Sequence, residues 1–99
     1  GGPRLAEAVK NVAFAIRKNA DGPTVFVGLT ITNGKPMITI ALSDELVKEG
    51  YNAGQIVREA AKLIKGGGGG QPFFAQAGGK DPDGLSAAKD KIMELLHLD

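Results

Sequence analysis

Five consecutive glycines, Gly66 to Gly70, constrain this chain more than any other stretch, and Gln71-Pro72-Phe73-Phe74-Ala75-Gln76-Ala77-Gly78-Gly79-Lys80 follows at once. Ordering backbone costs about 1–2 kcal/mol per residue, and most for glycine, so fixing the run costs on the order of 5–10 kcal/mol. Such a run either stays a loose linker or is held for a use. Length argues against the linker: only 29 residues follow Gly70, and a segment below roughly 40 residues rarely folds alone without disulfides or metal. The run therefore sits inside one domain. Peptide N–H groups free of side chains admit a rigid phosphate, sugar or base pair, and the residues by themselves do not name which.

The rest of the composition narrows the partner further. Twelve Lys and Arg against eleven Asp and Glu give a formal charge of +1, so any contact with nucleic acid has to be local rather than a matter of bulk charge. The absence of cysteine and the single His97 exclude a disulfide, a Cys-based metal site and a His cluster, and they fit a reducing, cytosolic setting. Neither a run of about 18 apolar residues nor a charged-then-apolar leader stands in the chain, so neither a membrane span nor a signal peptide is expected. Gly1-Gly2 reads as an appendage, and residues 3–99 read as a single globular domain.

Periodicity orders the elements. After Pro3, residues Leu5, Ala8, Val9, Val12, Ala13 and Ile16 recur at helical spacing and predict an amphipathic helix ending near Asn19 to Gly22, with Phe14 at the core's edge. Thr24 to Thr32 and Met37 to Leu42 are β-rich and joined through Asn33-Gly34, a strong hairpin signal. Leu29 and Ile31 should then share a face with Ile38, Ile40 and Leu42, while Thr30, Thr32 and Thr39 face outward; Gly28 marks a candidate bulge. Ser43 caps a short helix to Lys48, and a longer helix from about Ala53 to Lys65 buries Ile56, Val57, Ala60, Ala61 and Ile64 before a glycine loop ends it. Phe73 to Ala77 reads as a short edge strand, and Asp81-Pro82-Asp83 opens a last helix whose buried stripe is Leu85, Ala88, Ile92, Leu95 and Leu96. The expected fold is α/β (α+β): a small, mostly antiparallel sheet built on a hairpin plus a short edge strand, covered by three to four helices.

Chemistry-bearing motifs are sparse. A phosphate loop ending at Gly79-Lys80 would need glycine where Phe74 stands and Ser or Thr where Asp81 stands, and a dinucleotide loop through Gly68 and Gly70 would need glycine at Phe73. Ser43 and Ser86 begin helices, His97 suits a helix C-terminus, and the scattered acids read as surface charges, so no active site emerges. One basic cluster remains. Arg58, Lys62 and Lys65 fall on one helical stripe leading into the glycines, and Lys80 follows Gly78-Gly79. This is either a solvated helix face or a set of phosphate contacts around a backbone platform. One of Phe73 and Phe74 is assigned to the core, leaving the other to pack or to stack on a base.

The run Gly66 to Gly70, then Pro72, Ala75-Gln76-Ala77-Gly78-Gly79 and Lys80-Asp81-Pro82, resembles the glycine-rich signature near the C-terminus of alanyl-tRNA synthetases. Ala53-Gly54-Gln55-Ile56-Val57 and the Asn33-Gly34-Lys35 hairpin share in the likeness, which spans about residues 4–97. The resemblance implies the globular C-terminal domain of that synthetase, related in fold to the substrate-binding domain of DHH phosphoesterases. It implies binding to the elbow of alanine-specific tRNA and support of aminoacylation and editing by the parent enzyme. Other parent domains and a homodimer are further implied partners, a membrane is not, and the setting is cytoplasmic. Carried onto this chain, Gly66, Gly67, Gly68, Gly69, Gly70, Gly78 and Gly79 form the backbone surface, with Gln76 and Lys80 flanking it; Arg58, Lys62 and Lys65 join from helix spacing. The resemblance implies no cofactor in this segment and no catalysis by it alone, with ATP, magnesium and zinc used in other parent domains. Two other readings stand beside it: a phosphoesterase substrate domain, and a dimerisation module with an apolar edge at Leu95, Leu96 and Leu98.

Overall fold

Asn33 and Gly34 adopt positive φ of 53° and 76°, the mirror-image turn whose twist suits a two-residue hairpin. The computed structural model describes residues Gly2 to Leu98. In it this turn joins β1 (Val25–Thr32) to β2 (Lys35–Leu42) in unbroken register from Val25↔Leu42 to Thr32↔Lys35. No bulge interrupts the ladder at Gly28. That glycine instead leaves room for Val9 and Phe26, whose side chains lie 3.1 Å from where its Cβ would stand.

The chain order is α1 (Gly2–Lys18), β1, β2, α2 (Asp44–Lys48), α3 (Ala53–Ala61), a 3-10 turn (Lys62–Ile64), β3 (Gly67–Gln71), β4 (Phe74–Gly78), a second 3-10 turn (Pro82–Gly84) and α4 (Leu85–Leu95). The four strands form one antiparallel sheet in the order β1-β2-β4-β3. Two sequence expectations change here. The glycine run is the edge strand β3 rather than a loop, and Phe74–Gly78 is an interior strand rather than an edge. Pairing to β4 compensates the entropy of ordering the glycines, because Gly67 to Gln71 match Gly78 back to Phe74 residue by residue. The reading of Gly1-Gly2 as an appendage falls partly outside the described residues, and Gly2 begins α1.

The main core lies on one face of the sheet. Ile38, Ile40, Leu42, Ala75 and Ala77 point into it and meet Ala53, Val57, Ala60 and Ala61 of α3 and Ala88 and Ile92 of α4, all 3% exposed or less. Alanine on both α3 and β4 allows the helix to approach closely. The opposite face is covered by α1. Thr39, expected outward, is therefore fully buried, and its hydroxyl accepts from Gln76 Nε2 at 3.1 Å.

The inner side of α1 is rotated from its expected stripe. Val12 is 49% exposed and Ala8 is exposed, while Ala13 is fully buried. Phe14 stacks on Phe74 with centroids 4.7 Å apart, and Arg17 lies over Phe73 at 4.6 Å while its Nε donates to the Leu42 carbonyl at 2.7 Å. Arg17 also pairs with Asp44. Aromatic and cation–π contacts drew the helix toward these groups, which an aliphatic-spacing argument does not weigh. Ser43 does stand at the N-cap of α2, but its hydroxyl accepts from the Thr24 N–H at 2.9 Å and leaves the first turn of α2 uncapped by a side chain.

Candidate nucleic-acid interface

Helix α3 begins at Asn52, whose side chain accepts from the Gln55 N–H, and it runs only to Ala61. The next turn tightens to 3-10 and Lys65 then takes left-handed backbone, φ 55°. This reversal ends the expected stripe. Arg58 stays on α3 and Lys62 opens the 3-10 turn, whereas Lys65 swings to the end of the sheet where β3 starts. Two bonds fix the far side of the turn: the buried carbonyl of Ile64 accepts from the N–H groups of Lys80 at 2.9 Å and Asp81 at 3.0 Å. Gly79 fits against that carbonyl because a Cβ there would collide with it. Lys65 and Lys80, 15 positions apart in the chain, are thereby held side by side.

The hairpin tip completes the arrangement. Met37 pairs with Gly78, and the Gly79 N–H donates to the Pro36 carbonyl at 3.1 Å, so the Asn33-Gly34-Lys35 turn lies beside the Gly78-Gly79 end of β4. Together these segments enclose an open cleft of about 710 Å³ whose walls include Lys35, Lys65, Lys80, Gly66, Gly67, Gln76, Gly78 and Gly79. Asn33 and Thr32 stand on its rim, and among the described residues no Asp or Glu lines it. Lys35, Lys65 and Lys80 are all exposed, and none of the three is ion-paired among the described residues. Three uncompensated cations around bare peptide groups make a local field for an anion, even though the whole chain is nearly neutral.

Of the twelve residues assigned from sequence, the cleft gathers Gly66, Gly67, Gln76, Gly78, Gly79, Lys80 and Lys65. It does not gather Gly68, Gly69, Gly70, Arg58 or Lys62. Gly68 and Gly70 continue along β3 and are exposed, and Gly69 is half-buried beside the Arg58 guanidinium. Arg58 lines a separate, smaller depression with Tyr51, Asn52, Gln55 and Glu59, and Lys62 pairs with Glu59 at 3.3 Å. Phe73 and Phe74 are both half-buried, Phe73 under the Arg17 guanidinium and Phe74 stacked on Phe14, so neither is wholly in the core. Lys35 was missed by the sequence reading. Its signal was the hairpin turn, but only the pairing of β2 with β4 shows that the turn meets the second glycine pair.

The glycines divide by what holds them. A Cβ at Gly68 would stand 2.5 Å from Ala77 Cα, and one at Gly70 would stand 2.5 Å from the Phe74 carbonyl; Gly66 likewise abuts the Gly78 carbonyl. These three are required for β3 to close on β4. Gly67 has nothing within 4 Å of its Cβ position. It lines the cleft, and packing does not demand a glycine there.

The fold and site define a small antiparallel α/β module with a basic, glycine-edged cleft at one end of its sheet. Residues 5–98 match the DHHA1 domain, and the chain belongs to that family. Among solved structures it is similar to the C-Ala domain of alanyl-tRNA synthetase from Aquifex aeolicus, with a TM-score of 0.80 and 33% identity over 91% of this chain and 79% of that one. Among curated proteins it is 57% identical over 96 residues to alanine–tRNA ligase from Bacteroides thetaiotaomicron and 53% identical over 97 residues to that of Parabacteroides distasonis. The matches take in 97% and 98% of this chain and 11% of each ligase. The resemblance to the C-terminal domain of alanyl-tRNA synthetases thus extends from motif to fold. Among the described residues, no helix is long and apolar enough to cross a membrane.

Proposed function

We propose that this chain is the tRNA-binding C-terminal module of an alanine–tRNA ligase, and that it meets the elbow of alanine-specific tRNA through the glycine-edged cleft. The observation that carries this reading is the convergence of Lys35, Lys65 and Lys80 on exposed backbone at Gly66, Gly67 and Gly78 and half-buried backbone at Gly79, with no carboxylate among the described residues that line the cleft. Ammonium groups neutralise phosphates at the rim, while bare peptide edges accept the flat surface of a folded RNA corner. Chemistry belongs elsewhere in the parent: this module holds tRNA for aminoacylation and editing in the cytoplasm, and ATP, magnesium and zinc act in other domains. Those domains and a second copy of the chain are its protein partners, the latter at a surface distinct from the cleft.

Binding of intact tRNA and of a linear RNA of equal length to the chain, each measured against salt, tests this. Three phosphate contacts predict a slope of log K against log salt of about −2 to −3, at 0.7–0.9 per contact. Intact tRNA should bind more tightly than the linear strand. Equal affinity for both would refute recognition of the elbow, and a slope near zero would refute the role of the lysines.

A further inference from the structure

Thr39 and Gln76 stand opposite each other in the β2–β4 ladder. The Leu42 N–H donates to the Phe73 carbonyl and the Gly79 N–H to the Pro36 carbonyl, so main-chain bonds join the pairs formed by the even residues of β2. Thr39 and Gln76 are therefore one of the intervening pairs, the kind whose side chains approach more closely. Gln76 Nε2 donates to the Thr39 hydroxyl at 3.1 Å. On its other side Thr39 faces Gly28, where Val9 and Phe26 occupy the room a side chain would take. The amide of Gln76 is thus the one side-chain partner of this hydroxyl among the described residues.

Thr39 is fully buried, whereas Gln76 is half-buried and lines the basic cleft. Thr30 Oγ1 is the one side-chain polar atom both buried and unpartnered among the described residues. Gln76 Oε1 has no partner there either, so it reaches solvent. An amide held from below in this way keeps an acceptor and one N–H for a ligand. The cleft's other polar groups do not tell one nucleic acid from another. Lys35, Lys65, Lys80 and the bare peptide groups suit phosphate, which RNA and DNA share. Thr32 and Asn33 also line the cleft, but neither side chain is held by a hydrogen bond among the described residues.

Given the cleft as the tRNA site, on which this rests, we infer that Gln76 is its ribose-reading residue and that Thr39 is the buried positioning residue behind it. The free side of the Gln76 amide takes a ribose 2′-hydroxyl, the group that is both donor and acceptor and that separates RNA from DNA. Each phosphate along a strand is flanked by sugars, so phosphates anchored on the lysines bring a ribose to a neutral group in the same cleft. Ordering a long side chain on binding costs affinity. The bond to Thr39 orders Gln76 before any RNA arrives, and the Thr39 side chain is itself fixed by burial.

Single 2′-deoxy substitutions through the elbow of an otherwise intact tRNA test this, with affinity read by fluorescence anisotropy. For the wild-type chain one such substitution should weaken binding about two- to tenfold, the scale of one hydrogen bond, with the salt slope unchanged. Gln76→Ala should lose a similar factor on unmodified tRNA and be indifferent to that same deoxy position. Thr39→Val, which keeps the shape and removes the hydroxyl, should blunt the discrimination, and Thr39→Ser should restore it. Gln76→Ala strands a buried hydroxyl and lowers Tm, so the double variant Thr39→Val with Gln76→Ala, which strands none, should be equally blind to the deoxy position. A purely structural pair would move Tm and leave the deoxy profile as in the wild type. A flat deoxy scan of the wild-type chain, or an undiminished deoxy penalty in Gln76→Ala, would overturn the ribose role while Lys80→Ala still lowered the salt slope and the tRNA reading stood. Full discrimination in Thr39→Val would overturn the positioning role. A salt slope indifferent to Lys80→Ala would instead remove the tRNA reading of the cleft, and the ribose role with it.

Discussion

Substituting alanine at two neighbouring glycines should separate packing from contact. At Gly68 the new methyl carbon would stand 2.5 Å from Ala77 Cα and 2.7 Å from Ala77 Cβ. These atoms belong to an interior strand paired on both sides, so β3 itself must move. Overpacking of this kind costs about 1–3 kcal/mol. At Gly67 the methyl meets nothing within 4 Å and the backbone lies outside the left-handed region. Replacing a glycine under those conditions stabilises by about 0.4–1 kcal/mol, through lost freedom of the unfolded chain. The two variants should therefore differ by about 1.4–4 kcal/mol, which for a domain of this size is at least about 6 °C in Tm. Thermal unfolding followed by circular dichroism measures the gap, and tRNA affinity on the same samples supplies the second axis. Gly67→Ala, and more so Gly67→Val, should lose affinity while remaining folded. Equal Tm for the two alanine variants would refute the division of the glycines. A stable Gly67→Val that binds tRNA as well as the parent would refute contact at that edge.

Other outcomes follow from the same geometry. Lys35→Ala and Lys80→Ala should each reduce the salt slope for tRNA by about 0.7–0.9, whereas Lys62→Ala, outside the cleft and paired with Glu59, should leave it unchanged; fluorescence anisotropy over a salt series decides. Arg17→Ala removes a bond to the Leu42 carbonyl and the cover over Phe73, and it should destabilise by about 1.5–3 kcal/mol in urea unfolding, with tRNA affinity retained in the folded fraction. Asn52→Ala removes the only side-chain cap of α3 seen among the described residues, and should cost about 0.5–2 kcal/mol by the same assay.

The hairpin and the main core face of the sheet were legible because short-range chemistry specifies them: Asn33-Gly34 demands its turn, and Ile38, Ile40 and Leu42 alternate as a half-covered strand should. What escaped was decided at long range. Nothing near Gly66 to Gly70 reveals that the run is a strand, since glycine carries no alternation to read and β4 supplies the reason from across the ladder. The placement of Thr39 depended on α1 folding over the second face, and α1 was rotated by Phe14 and Arg17 finding Phe74 and Phe73. At the candidate site, the glycines and Lys80 were legible from local pattern and the family resemblance. Lys65 reaches the cleft by a different geometry from the helical stripe its spacing suggests, because the chain leaves the helix for a 3-10 turn and reverses at that residue. Lys35 needed the β2–β4 pairing, which no local signal encodes.

The buried carbonyl of Ile64 accepts from the N–H groups of both Lys80 and Asp81. A residue hidden from solvent sets the spacing of two cations, since it holds the segment bearing Lys80 against the turn bearing Lys65. A saturation screen for altered RNA affinity should accordingly return hits at an aliphatic position that no RNA atom touches, with the isoelectric point unchanged. Tuning of such an interface over generations can proceed from beneath, by resizing an isoleucine, while the visible lysines stay as they are.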